Sequence, residues 1–199
     1  MLSEIKKISS LLLSVAFSSI GFIASITVTV LAAREVSSNP LFVGFPNAVG
    51  VGGAVLGTRM IYLISKNNSQ LNALAFTFLI GAFGGAIMFY SLIVDSFVLL
   101  LFGAFILGIG QSATLQTRYA ASFVASEKFK ATALSLAVWF SVFGSVFGPR
   151  MVGGYSNFFD NIFNSELIVG YVIALVGMLF AASSLFIFTS KKSILRSPS

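Results

Sequence analysis

The sequence predicts an all-α integral membrane protein with six transmembrane helices. Three observations predict it. Hydrophobic residues make up 57% of the chain and charged residues only 9%, with a mean hydropathy of +0.98. A water-exposed domain carries about a quarter charged residues, so this chain cannot cover itself in water. Charged residues then cut the chain into uncharged runs at 8–33, 36–58, 67–94, 96–117, 131–149 and 167–190. Each is close to or above the ~20 residues that a helix rising ~1.5 Å per residue needs to cross the hydrocarbon core. Finally, these runs are continuous rather than alternating, and they are too long for barrel strands.

No polar block of domain size interrupts the pattern, so residues 1–199 form one transmembrane domain. The chain has no cysteine and no histidine. Disulfides, thiol chemistry and a zinc site built from those residues are excluded, and no metal or other cofactor is expected. The net charge of +6 does not gather into a phosphate-binding face, so no nucleic-acid partner is expected. The expected surroundings are the lipid bilayer.

The first helix is expected over 9–33. Its apolar run exceeds the usual ~7–15 residues of a signal peptide, so it reads as an uncleaved span. At ~100° per residue, Ser14, Ser18, Gly21, Ser25 and Thr29 share an arc of roughly 80°. That stripe is either the wall of a polar pathway or a small-residue packing face with hydroxyls bonded to their own backbone.

Ser37, Ser38, Asn39 and Pro40 make a turn into a second helix over 41–64. Pro46, Gly50, Gly53 and Gly57 lie on one of its faces. Gly53 and Gly57 are spaced for close backbone approach, and these glycines also permit bending. Asn47 is a polar residue deep enough to face a neighbour or a solute. Arg59 can snorkel to the headgroups.

Asn67, Asn68, Ser69 and Gln70 turn the chain into a third helix over 72–94, followed by a fourth over 96–118. The fourth places Gln111, Thr114 and Arg118 within roughly 60°. Gln111 is deep and needs a hydrogen-bond partner, across a helix contact or in a watery cavity. Arg118 is either an interfacial anchor or a functional group within the span.

A polar hinge with Glu127, Lys128 and Lys130 leads to a fifth helix over 130–154, with Gly144, Gly148 and Pro149 as packing or conformational positions. Residues 155–165 read as a longer outer loop. The sixth helix, over 166–190, repeats the small-residue face with Gly170, Ala174, Gly177 and Ala181. A basic tail with Lys191, Lys192 and Arg196 follows.

Ten of the twelve lysines and arginines fall on the side of the two termini, leaving Arg34 and Arg150 opposite. Both termini are therefore expected in the cytoplasm of a plasma-membrane protein. Apart from Glu166 at the very start of the sixth, no Asp or Glu falls inside an expected span, so any proton coupling needs a residue supplied elsewhere. With no histidine and no buried acid, intramembrane hydrolase and acyltransferase chemistries lack their general base, and no enzyme is expected.

The stretch around the fourth and fifth helices resembles the N-terminal six-helix half of a major facilitator superfamily transporter. Phe123, Glu127, Lys128 and Lys130 precede Ala133, Leu134, Ser135 and Leu136. Gly144, Gly148 and Pro149 precede Gly153 and Gly154. The segments GIGQSATLQTRYAA at 108–121 and LSLAVWF at 134–140 are similar to drug-efflux-like members from actinobacteria. The specific part covers about residues 105–154. Departures are the 63–70 connection, which keeps only Lys66 of a basic motif, Ala104 where an arginine is often found, and a glycine pair displaced by one residue.

The resemblance implies transport of a small solute, of unidentified structure, by alternating access. Helices 1 and 4 would line the pathway, helices 2 and 5 would meet a second half, and helices 3 and 6 would face lipid. The pathway candidates are Ser18, Ser25, Asn47, Gln111, Thr114 and Arg118. Half of a transporter needs a complement: a second six-helix polypeptide or a homodimer, unless the chain is a truncated remnant. A reading from another class is a non-transporting scaffold or accessory subunit.

Overall fold

A computed structural model describes residues 2–189 except Ser38 and Asn164, with side chains from 8 to 187. The basic tail and the side chains of Lys6 and Lys7 lie outside the described residues. Among the described residues there are six long helices: α1 (Leu2–Val36), α2 (Phe45–Asn67), α3 (Gln70–Ile93), α4 (Phe97–Val124), α5 (Lys130–Phe163) and α6 (Ile168–Thr189). All six contain a stretch long and apolar enough to cross a membrane. The protein is a multi-pass helical membrane protein.

Several boundaries differ from the sequence expectation, and α1 already starts at Leu2 rather than at 9. The expected outer loop at 155–165 is helical up to Phe163. Tyr155–Phe163 has neither proline nor glycine to stop a helix, and three of its phenylalanines stack on one another and on Phe89. Asp160 consequently lies on a helix, as does Glu35 in the last turn of α1. α4 runs beyond Arg118 to Val124, with Ala120 and Ala121 buried. α2 begins at Phe45, after a 3-10 turn at Pro40–Phe42 whose first amide is capped by Asn39 (3.0 Å).

The α3–α4 corner is built locally. Asp95 takes a left-handed φ of 48°. The Ser96 amide donates back to the Ser91 carbonyl (2.9 Å), and the Val94 amide to Tyr90 (3.2 Å), which closes α3 in the Schellman manner. Ser96 then accepts from the Leu99 amide (3.4 Å) and so starts α4.

The helices pack as a chain of neighbours, α2 on α4, α4 on α3, α3 on α6, α6 on α1 and α1 on α5, with α1 and α4 meeting in the middle. This pattern maps onto itself when α1, α2 and α3 are exchanged with α4, α5 and α6. The contacts respect the exchange in detail. Gly53 of α2 lies on the Phe105 carbonyl of α4, and Gly144 of α5 lies on Ser19 of α1. A Cβ at Gly81 of α3 would come within 2.7 Å of Gly110 Cα on α4, and one at Gly177 of α6 within 2.6 Å of the Phe17 carbonyl on α1. Lipid tails are as apolar as leucine, so burial of apolar area does not drive this packing. Close approach between small residues does.

The outer helices of this arrangement are lightly covered. Only 17% and 22% of the apolar stretches of α2 and α5 are buried inside the chain, against 50–56% for the other four.

Candidate functional site

The α1 stripe faces its neighbours with its hydroxyls already used. Ser14 donates to the Leu11 carbonyl (2.9 Å), Ser18 to Val15 (3.3 Å), Ser25 to Phe22 (3.0 Å) and Thr29 to Ser25 (2.7 Å). All four side chains are buried. Gly21, in the middle of the stripe, sits against Ala174, with 3.0 Å left for a Cβ. Ser18 therefore stands in a helix contact.

Two turns further along, the surroundings of the stripe change. Pro46, the second residue of α2, stands beside α1 and cannot donate a backbone hydrogen bond, and small Gly50 follows on the same face. Gly50 meets Gly108 of α4, holding α2 close to α4. Above that contact a cleft of about 250 Å³ remains between α1, α2 and α4. Ser25 and Thr29 line it from α1, Asn47 from α2 and Gln111 from α4. Phe22, Ile26, Met88 and Leu107 supply apolar walls. Neither carboxamide is engaged by another described group. Gln111 lies at the middle of α4, so the cleft runs from mid-depth to the end of the bundle where α1 stops and α2 begins.

Three of the six pathway candidates, Ser25, Asn47 and Gln111, thus converge. Ser18, Thr114 and Arg118 do not line the cleft. Thr114 is buried without a partner for its hydroxyl, and Arg118, on the same face one turn on, has an unpaired Nε. Thr29 and Met88 also line the cleft, although neither is among the six candidates. Thr29 was within reach, since it continues the stripe. Met88 had no signal in a uniformly apolar helix.

Two other depressions flank the bundle. One, of about 360 Å³, is an almost wholly apolar groove between α1, α5 and α6, with Phe17, Tyr155 and Phe180 among its walls. The other, of about 500 Å³, lies at the α1–α2 end and gathers Arg34, Glu35, Asp160 and Glu166. No group of three potential metal ligands occurs among the described residues.

Sequence similarity to known proteins extends over most of the chain. Two relatives, both described as uncharacterized MFS-type transporters of Bacillus subtilis (strain 168), align over most of the chain. YdeG is 30% identical over 175 residues, 88% of this chain and 41% of its own length. YddS is 31% identical over 183 residues, 92% of this chain and 42% of its own length. The chain thus spans about two fifths of these curated relatives. No family profile matches it, and no solved structure does. The actinobacterial drug-efflux likeness has no counterpart in these comparisons. The chain is related to the MFS-type transporters, and its six apolar helices fit the N-terminal half of that fold.

Proposed function

We propose that the chain supplies six helices to a transporter that moves a small solute by alternating access, with the cleft between α1, α2 and α4 as its part of the pathway. The observation that carries the reading is the convergence of Ser25, Asn47 and Gln111, from three helices, on one cavity reaching mid-depth. Solute sites in such folds lie near the bilayer midplane, where two helical bodies rock about them. The thin coverage of α2 and α5 supports a second six-helix body, or a second copy, lying against these helices. Lysine and arginine placement supports cytoplasmic termini in the plasma membrane.

The test is solute flux in vesicles containing the natural assembly. Gln111→Leu keeps the volume of the side chain and removes its hydrogen-bonding groups. It is expected to reduce flux about tenfold with an unchanged elution profile and helix content. Undiminished flux in that variant overturns the assignment.

A further inference from the structure

The chemistry of the cleft narrows what it can take. We propose that it holds an uncharged, hydrogen-bonding solute of about the size of a small aromatic amide, bound between the carboxamides of Asn47 and Gln111. This inference rests on the transport reading above.

Charge decides the class first. No side chain lining the cleft is titratable. An ion that sheds its water there finds no opposite charge, and an uncompensated ion in a low-dielectric site is strongly disfavoured. Arg118 is the next basic residue along α4, but it stands about 10 Å beyond Gln111 along the helix axis and outside the lining.

Hydrogen-bonding capacity decides the rest. Ser25 and Thr29 have donated their protons to helix carbonyls, so toward the cleft they act as acceptors. The free donors are the two amide groups, each paired with a free carbonyl oxygen. An amide, urea or hydroxyl function answers that pattern, since it offers donor and acceptor together. Phe22, Ile26, Met88 and Leu107 then suit an apolar ring or chain on the same molecule. A volume of about 250 Å³ admits such a compound with little room to spare for its hydration shell.

The experiment uses three near-isosteric probes that differ in charge: phenylacetamide, phenylacetate and 2-phenylethylammonium. Their equilibrium binding to the full chain in lipid nanodiscs is read by ligand-observed NMR. Phenylacetamide is expected to bind about tenfold more tightly than either ion. Gln111→Leu, and Asn47→Ala on the exposed rim should the first variant not fold, are expected to abolish that preference. Gln111→Glu is expected to turn it toward the ammonium probe. Tighter binding of phenylacetate that disappears in Arg118→Gln overturns the inference in favour of an anion site at Arg118. Tighter binding of the ammonium probe to the native protein overturns it too. In both cases the transport reading stands. If none of the three binds, the cleft is not a solute site, and its place in the pathway falls with the inference.

Discussion

The hydroxyl of Tyr171 on α6 reaches the hydroxyl of Thr29 on α1 at 3.5 Å, while Thr29 donates its own proton to the Ser25 carbonyl. Both side chains are buried, and Thr29 also lines the cleft. One residue therefore joins the back wall of the bundle to the candidate site. The bond is long, so its contribution is small.

Tyr171→Phe removes that bond and little else. The expected cost is about 0.6 kcal/mol, the average for side-chain hydrogen bonds between helices in a membrane protein. Tyr171→Ala, which empties a fully buried position, is expected to cost about 3–5 kcal/mol. Unfolding in mixed micelles separates the two. Equal losses would mean that the hydroxyl, rather than the ring, holds the α1–α6 contact.

Neighbouring glycines on α2 give a sharper contrast. A Cβ at Gly53 would overlap the Phe105 carbonyl, which is backbone and cannot rotate away, whereas one at Gly52 meets nothing within 4 Å. Gly53→Ala is expected to destabilise by about 1–3 kcal/mol through forced separation of α2 and α4. Gly52→Ala is expected to stabilise by up to about 1 kcal/mol through helix propensity. Thermal melts of the two variants should shift in opposite directions.

At the α3–α4 corner, Asp95 holds a left-handed conformation that favours glycine. Asp95→Gly is expected to stabilise by about 0.5–1 kcal/mol, and Asp95→Val to destabilise by about 1–2 kcal/mol. If the valine variant melts like the native protein, the corner does not depend on the left-handed residue.

Topology is open to direct labelling because the chain has no cysteine. A single Ser126→Cys, on the exposed α4–α5 connection, is expected to react only with reagents that cross the membrane of intact cells. A single Asn157→Cys, exposed on the far end of α5, is expected to react with an impermeant maleimide. The reverse pattern would place the termini outside.

Much of the fold could be read from the sequence because crossing a hydrocarbon core imposes a length on every helix. Helix ends were less legible. Tyr155–Phe163 and Tyr119–Val124 continue their helices past charged or polar residues, because nothing at the membrane boundary requires a helix to stop there. The site was legible only in part, for a related reason. Ser18 and Ser25 sit on the same stripe two turns apart, and their spacing makes them equivalent. What separates them is the neighbour at each level. Small residues of α5 and α6 close over the Phe17–Gly21 region of α1, while the start of α2 leaves space beside Ser25. Those heights are fixed by glycine contacts such as Gly50 with Gly108, which join residues far apart in sequence.

The hydroxyls of α1 also bear on how the chain enters the membrane. α1 finds its main partners in α5 and α6, and among the first three helices contact is slight. On the ribosome, α1 is thus made long before the helices that cover it. At about 5–20 residues per second, it waits for seconds in contact with lipid or the insertion machinery. Ser14, Ser18, Ser25 and Thr29 can wait there at little cost, because each proton is already bound to a carbonyl of α1 itself. The stripe thus carries its own hydrogen-bond partners along the same helix.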